Sequence, residues 1–177
     1  MIPLVQSAVL ATAASLGGLH PGGTWSAAIK GPGIALSGGD LVATRSSGGW
    51  QCVLATAPIV GVQSFTVVVT GTNPACPGIS NAGLTVGSYP GDTPGLAIND
   101  AGAVTRNGGS IGSVGFTVTS GDEIFVECDE PGDRVRFANL TSGSGLSAWF
   151  SLAGMTRPIY PMCGLFDALS TATLNPN

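Results

Sequence analysis

The stretch from residue 24 to residue 59, TWSAAIKGPGIALSGGDLVATRSSGGWQCVLATAPI, consists of short apolar runs separated by glycine-rich turns. The runs are IALSG (34–38), LVAT (41–44) and WQCVLAT (50–56), and the Gly-Gly pairs at 38–39 and 48–49 mark the turns between them. Short runs of this kind, bounded by turn residues, are typical of strands. The stretch therefore predicts three consecutive strands joined by tight turns.

The same pattern continues to the end of the sequence, and many runs alternate apolar and polar residues with period two, as in FTVVV and FTVTS. This alternation indicates half-buried strands, and no long amphipathic helical pattern accompanies it. Further strands are predicted at 64–71, 83–89, 95–99, 115–121, 123–129, 134–140, 147–154, 163–166 and 172–175. So many short strands predict an all-β fold, an antiparallel two-sheet β-sandwich.

The alternation also predicts which side chains fill the space between the two sheets. In SAWFSLAG, Phe150 and Leu152 should face the core, while Trp149 and Ser151 should face the opposite way. The same reasoning assigns Phe137, Val126 and Val68 to the core.

Composition and charge exclude two classes of function. Charged residues make up 9% of the 177, and the formal net charge is −4 with six scattered cations, so a phosphate backbone would find no basic surface. Gly154, Arg157 and two prolines interrupt the apolar stretch 147–166, so it cannot supply the roughly 20 apolar residues of a spanning helix. We therefore expect no nucleic-acid partner and no membrane insertion.

The N-terminal residues 1–22 are apolar and end in small residues, but they lack the basic region of a signal peptide. We predict that they form an arm ahead of a domain spanning residues 23–177. On a protein with so little charge, exposed apolar side chains of the arm would favour contact with another subunit. The candidate contact residues are Ile2, Leu4, Val5, Val9 and Leu10.

Several motifs, taken in order, resemble SPRY domains. The opening Trp25 is followed by an I-x-L-S strand, an L-x-A-T strand and a Trp with V-x-A-T; SGDEIFVECDEPGDRVRFANL (120–140) resembles the G-D strand, turn and G-x-V-x-F strand of that family. ISNAGLTVGSYPG (79–91) and IYPMCGLFDALSTATLNPN (159–177) resemble its x-x-G-V-G segment and its closing YP segment. The resemblance implies a SPRY- or concanavalin-like jelly-roll sandwich over residues 23–177, acting as a protein-interaction module whose loops bind.

Two motifs raise the question of catalysis or metal binding. Gly108-Gly-Ser110-Ile-Gly112 fits G-x-S-x-G, but a nucleophile elbow needs a strand before the serine, a helix after it and a histidine base, and His20 lies far away in the sequence. Six acids cluster in 121–133, and Asp129, Glu130 and Asp133 are calcium candidates on a turn, although solvated surface acids explain them better. We expect no enzyme activity, no resident metal and no cofactor.

Other residues allow more than one interpretation. Cys52, Cys76, Cys128 and Cys163 lack C-x-x-C spacing and are interpreted as buried thiols, with up to two disulfides left open. Asn139-Leu-Thr141 is a glycosylation sequon only in a secretory setting. Tryptophans on strands are usually core residues, but Tyr89 and Trp149 are candidates for a sugar- or partner-binding face.

Low charge, richness in small residues and the apolar arm favour a phage virion protein: a head decoration, fibre or tail-attached module present in many copies. Its partners would be other virion or assembly subunits, and its location the virion. Two alternatives remain from the sequence. One is a carbohydrate- or receptor-binding module using the loops near Tyr89 and Trp149, and the other is a cytoplasmic SPRY adaptor that recognises a peptide.

Overall fold

A computed structural model describes residues 23–73, 75–92 and 94–175, and these form an all-β structure. The predicted arm, including Ile2, Leu4, Val5, Val9 and Leu10, lies outside the described residues. The strands are β1 (Trp25–Lys30), β2 (Ile34–Ser37), β3 (Val42–Arg45), β4 (Gln51–Ala55), β5 (Val62–Thr70), β6 (Cys76–Asn81), β7 (Leu96–Ile98), β8 (Ala103–Arg106), β9 (Gly109–Ser113), β10 (Glu123–Asp129), β11 (Arg134–Asn139), β12 (Phe150–Ser151), β13 (Ile159–Leu165) and β14 (Thr171–Asn175).

The strands form two antiparallel sheets of seven, which confirms the predicted β-sandwich. Sheet one has the order β1-β4-β13-β6-β7-β8-β9, and sheet two the order β12-β11-β10-β5-β14-β3-β2. Alternate residues of both sheets point inward, as Val53 and Cys163 do in sheet one and Phe65 and Val67 in sheet two. The core therefore lies between two faces that the period-two pattern of the sequence specifies.

The first and last described strands meet across the core. Trp25 is fully buried, and its Nε1 donates a hydrogen bond to the Ala172 carbonyl at 3.0 Å. Strand β14, which contains Ala172, is an interior strand of sheet two, between β5 and β3. Closure of the sandwich thus depends on residues that are far apart in the sequence.

Two tight turns of the opening stretch, residues 31–33 and 46–49, are held by one buried cation, Arg45. Its guanidinium donates to the carbonyl oxygens of Gly33 at 3.0 Å, Gly48 at 2.9 Å and Gly49 at 3.0 Å. The three bonds satisfy the buried guanidinium and join the two turns, and the Gly33 carbonyl also accepts from the Ser46 N–H at 2.9 Å.

Several local predictions were wrong. β1, β6 and β8 were not predicted, because WSAAIK lacks clear alternation, CPGISN contains Pro77 and Gly78, and AVTR has only four residues between two turns. Of the predicted strand 147–154, only Phe150–Ser151 is a strand. Pro77 is tolerated inside the sheet because β6 pairs with β7 only through Gly78 and Ile79. The predicted strands 83–89 and 115–121 are loops, although some of their apolar residues, such as Leu84 and Val118, are buried. The glycine-rich segment 109–113, which was not predicted to be a strand, is β9.

The predicted core is confirmed for Phe150, Leu152, Phe137 and Val126, which are all buried. Val68 is the exception. In β5 the buried apolar side chains are those of Phe65, Val67 and Val69, so Val68 lies on the opposite face. The run VVV offers two alternations of equal hydrophobicity, and the sequence alone does not choose between them.

Candidate functional site

The outer face of sheet one is covered by the loop between β6 and β7, residues 82–95. The loop is tied down at Cys52, whose backbone N–H donates to the Val86 carbonyl at 2.8 Å and whose Sγ donates to the Ser88 carbonyl at 3.3 Å. Pro90 lies over Gly164, where an added Cβ would be 2.4 Å from the proline ring. A second apolar cluster forms under the loop, made of Cys52, Leu54, Cys76, Leu84, Ala97 and Met162.

The strand order brings the ends of four strands together at one end of this face. β4 begins where β13 ends, β6 begins beside them, and β7 ends next to β6, because neighbouring strands are antiparallel. The residues just beyond these ends therefore become neighbours although they are far apart in sequence. They line a cleft of about 350 Å³ with Tyr89 from the covering loop: Trp50, Asn73, Cys76, Asn99, Asp100 and Phe166.

Three aromatic rings form the apolar part of this cleft. The rings of Trp50 and Tyr89 meet edge to face with centroids 4.8 Å apart, and Phe166 is tilted against Trp50 at 4.9 Å. The Tyr89 hydroxyl accepts a hydrogen bond from Thr105 Oγ1 at 3.1 Å, which fixes its ring. Contacts of this kind hold the rings in place without an incoming ligand.

The polar part of the cleft is acidic and rich in amides. The exposed Asp100 contributes the charge of the cleft, and Asn73, which also lines it, donates through Nδ2 to the Asp167 carboxylate at 2.7 Å. Burial raises the pKa of Tyr89, and the negative charges of Asp100 and Asp92 add to the effect, although the Thr105 hydrogen bond opposes it. The cleft therefore suits a ligand that presents an apolar group beside a cation or hydrogen-bond donor.

An exposed leucine stands at the same end of the sandwich. Leu169 lies in the connection from β13 to β14, is 76% exposed and has φ of 68°. The left-handed region costs a leucine of the order of 1 kcal/mol, because its Cβ crowds the backbone. The backbone is held there by the Leu169 N–H, which donates to the Arg45 carbonyl at 2.7 Å.

A second depression continues from the cleft. It has a volume of about 490 Å³, shares Asp100 with the cleft and is lined by Gly71, Thr72, Ala101 and residues 117–120. These residues follow β5 and precede β10, so they belong to the same end of sheet two. The loops of both sheets thus form one continuous surface, which we call the loop face.

The structure does not bring Tyr89 and Trp149 together. Tyr89 lies on the outer face of sheet one, whereas Trp149 packs on the outward side chains of β11 in sheet two. The guanidinium carbons of Arg134 and Arg136 are 4.4 Å and 4.3 Å from the Trp149 ring centroid. Because two cations already contact its ring, Trp149 offers little free aromatic surface to a sugar.

The three calcium candidates are engaged in ion pairs instead. Arg157 bonds Glu130 at 3.0 Å and Asp133 at 2.7 Å, and Arg134 bonds Asp129 at 2.8 Å. Burial pushes the pKa of Asp129 up, but the bonds from Arg134 and the Gly132 amide outweigh it, so the pKa is lowered. Within residues 23–73, 75–92 and 94–175, no group of three His, Cys, Asp or Glu is placed to hold a metal ion.

The serine of the G-x-S-x-G motif and the asparagine of the sequon lie in settings that do not suit the chemistry of their motifs. Ser110 lies in the exposed strand β9 rather than at a strand-to-helix turn, and His20 is outside the described residues. Asn139 is 1% exposed, and its Nδ2 donates to Asp122 at 2.8 Å, so the sequon is closed to glycosylation in the folded chain. No helix in the described part of the chain has the length and apolar character needed to cross a bilayer.

All four cysteines are buried and unpaired, in agreement with their interpretation as buried thiols. Burial raises the pKa of Cys52 and of Cys128 to about 12 and moves those of Cys76 and Cys163 well above the ordinary value. Such thiols are inert at neutral pH because the reactive thiolate is disfavoured.

Most of the cleft could not be predicted from the sequence. Tyr89 was a candidate, but Trp50, Asn99 and Phe166 were predicted only as strand residues, and Asp100 was not singled out. Trp50 precedes β4, Phe166 follows β13, and Asn99 and Asp100 follow β7, so only the strand order reveals that they meet.

No protein-family model matches this chain, and no curated protein matches it. Solved structures do resemble it. The SPRY domain of human HERC1 aligns with a TM-score of 0.68 at 16% identity over 86% of this chain and 97% of that one. The TRIM65 PSpry domain aligns with 0.72 at 16% over 90% and 92%, and a human SPRY domain with 0.66 at 18% over 82% and 96%. The chain therefore has a SPRY-like β-sandwich fold.

Proposed function

We propose that this chain is a non-enzymatic interaction module that binds a protein segment through its loop face. The observation that carries the proposal is the combination of three preassembled aromatic rings, the unpaired Asp100 carboxylate and the exposed Leu169 at one end of the sandwich. Interaction sites concentrate their energy in an apolar anchor surrounded by polar groups.

The chemistry of the loop face favours a segment with an apolar residue next to a lysine or arginine. A guanidinium would stack on Trp50 and pair with Asp100, and an apolar side chain would contact Leu169. A leucine held in a strained, exposed conformation gains nothing from binding a sugar, which is why a protein partner is preferred.

A random peptide library selected on the immobilised full chain tests this proposal. Selected peptides should be rich in lysine or arginine and should lose tenfold or more in affinity, by calorimetry, for Asp100→Asn and Leu169→Ser. Val60→Ser is the matched control, because Val60 is 68% exposed but precedes β5 at the other end of the strand. Equal losses in the control, or peptides indifferent to Asp100, would contradict the proposal.

We further propose that the module works in many copies as a virion component of a tailed phage: a head decoration, fibre or tail-attached protein. The support is compositional: 9% charged residues, 28 glycines and no charged residue before Lys30. Quantitative mass spectrometry of purified particles should find the chain in multiple copies per particle, and its absence from particles would refute this setting. A cytoplasmic adaptor would use the same loop face, and particle composition distinguishes the two.

Carbohydrate binding is the second candidate, supported by the aromatic rings beside Asn73, Asn99 and Asp100. Such a sugar site would include Tyr89 but not Trp149, because Trp149 lies on the outer face of the other sheet. A glycan array that gives binding abolished by Trp50→Ala, with no peptide selected, would favour it over a protein partner.

Absence of catalysis is part of the proposal and has its own test. Hydrolysis of ester and glycoside substrates should not rise above background. Turnover that disappears in Ser110→Ala, His20→Ala or Asp129→Asn would overturn the non-enzymatic assignment.

A further inference from the structure

The two sheets have four edge strands, and three of them are protected against pairing with another chain. In β1 the Ser26 hydroxyl accepts hydrogen bonds from the Ala28 and Ile29 amides. At β2 the Lys30 ammonium donates to the Ile34 carbonyl at 2.7 Å. β12 is two residues long. Backbone groups that already have partners, a nearby charge and short length each oppose pairing at an edge.

β9, the fourth edge, has a different character. All five of its residues are exposed, and its sequence GSIGS contains no charge and no proline. Ile111, which the register with β8 skips, is 45% exposed. Among the described residues, no strand other than β8 bonds to the β9 backbone. The Gly112 carbonyl accepts a long hydrogen bond from Ser110 Oγ, at 3.4 Å. An uncharged edge that no other strand covers is a template for an added strand.

The N-terminal segment 1–22 is uncharged and apolar, which suits it to an uncharged strand edge. It contains no Asp, Glu, Lys or Arg, and its apolar side chains need a surface to cover them. It joins the domain at Gly23, next to Thr56 and Ala57 and thus at the β1 edge of sheet one. The β9 edge lies six strand spacings away, about 29 Å, while 22 extended residues reach roughly 70 Å.

The path favours a neighbour over the segment's own sheet. To reach β9 of the same copy, the segment must pass around sheet one, whose outer face is occupied by loop 82–95. When the β1 edge of one copy lies beside the β9 edge of the next, the segment begins next to its target. Repetition of this contact is head-to-tail and links many copies.

We propose that residues 1–22 of one copy add a strand to the β9 edge of a neighbouring copy, and that this exchange assembles the protein. The inference deepens the proposed multi-copy function, because it names the surface through which copies join. It does not involve the loop face or its partner.

Sedimentation of the purified full chain over a range of concentrations tests the exchange. Wild type should form species larger than a monomer, and Ile111→Lys should weaken assembly tenfold or more, because a lysine on the edge opposes strand addition. Val60→Lys is the control, since it places the same charge on an exposed valine elsewhere. Circular dichroism melts check that both variants are folded.

Cross-linking identifies the occupant. A Ser7→Cys chain mixed with a Ser110→Cys chain should give a dimer with a bismaleimide linker, whereas wild type should not react because its four thiols are buried. A monomeric wild type, unchanged assembly of Ile111→Lys, or dimers from Ser110→Cys alone would each overturn the exchange. Because no peptide or virion protein is present, these outcomes are independent of whether the loop face binds its partner.

Discussion

The two outer faces of the sandwich treat a tryptophan in opposite ways. On sheet one, Trp50 belongs to a cleft whose other rings are Tyr89 and Phe166, and whose charge is the carboxylate of Asp100. On sheet two, Trp149 lies under Arg134 and Arg136, which in turn pair with Asp129 and Glu127.

The difference teaches that the neighbours of an aromatic ring, rather than its exposure, decide whether it is available. Both tryptophans are partly exposed. Trp149 already contacts two cations of its own sheet, Arg134 and Arg136, whereas Trp50 could bind a cation only from a partner. On the sheet-two face, the ring and the charges already have partners within the chain, whereas the cleft is open to a ligand.

The largest expected effect concerns the core beneath the arginine-covered face. Phe150 is 8% exposed, its ring centroid is 6.2 Å from that of Phe137, and it lies against Gly112 across the sandwich. Truncation of Phe150 to alanine should lower the free energy of unfolding by about 3–5 kcal/mol, measured in urea. A loss below about 1 kcal/mol would mean that this face is anchored by its surface ion pairs instead.

The second-largest loss of stability is expected at the ion pair between Arg136 and Glu127. Glu127 is only 3% exposed. Arg136→Met should cost about 3 kcal/mol, because it leaves a buried charge without its partner. Adding Glu127→Gln to this variant should recover much of the loss. If the losses in free energy of unfolding from the two substitutions simply add, Arg136 and Glu127 are not coupled.

A smaller effect concerns the thiols beneath the cleft. Burial raises the pKa of Cys52 from 9.0 to about 12, so the folded chain keeps a proton that the unfolded chain loses. Stability from this thiol is fully present below pH 9 and falls by up to about 1.4 kcal/mol per pH unit as the pH rises toward 12. Urea unfolding at pH 8 and pH 10 should show a smaller decline for Cys52→Ala than for wild type, and equal declines would place the thiol in water.

Removal of the covered ring itself should matter less. Trp149→Ala should cost about 1 kcal/mol, the usual size of a partly exposed cation–π contact. Peptides selected on the loop face should bind this variant with unchanged affinity, whereas Trp50→Ala should lose tenfold or more. Loss of binding in both variants would erase the distinction between the two faces.

The smallest effect on stability is expected at the N-terminus. Deletion of residues 1–20 should leave the free energy of unfolding of the domain unchanged while abolishing assembly. Unfolding of the deletion variant, seen by circular dichroism, would instead make the segment part of the core.

The fold was predictable because it follows from local alternation, and the site was not because it follows from strand order. The G-D strand and RVRFANL alternate clearly enough to assign their inward faces, whereas in FTVVV three successive valines leave the assignment open, and Val68 was assigned to the wrong face. The loops 83–89 and 115–121 share the hydrophobicity of strands, since Leu84 and Val118 are buried from outside the ladders. Trp50 and Asp100 meet only because β4, β13, β6 and β7 lie side by side.

The interior place of β14 has a consequence for synthesis of the chain. Sheet two cannot join β3 to β5 until residues 171–175 have emerged from the ribosome, because β14 lies between them. Trp25, at the start of the domain, also waits for the Ala172 carbonyl. A nascent chain stalled before this point keeps two unpaired β edges exposed, so the sandwich closes only after β14 has been made, and products truncated before it are targets for chaperones and proteases.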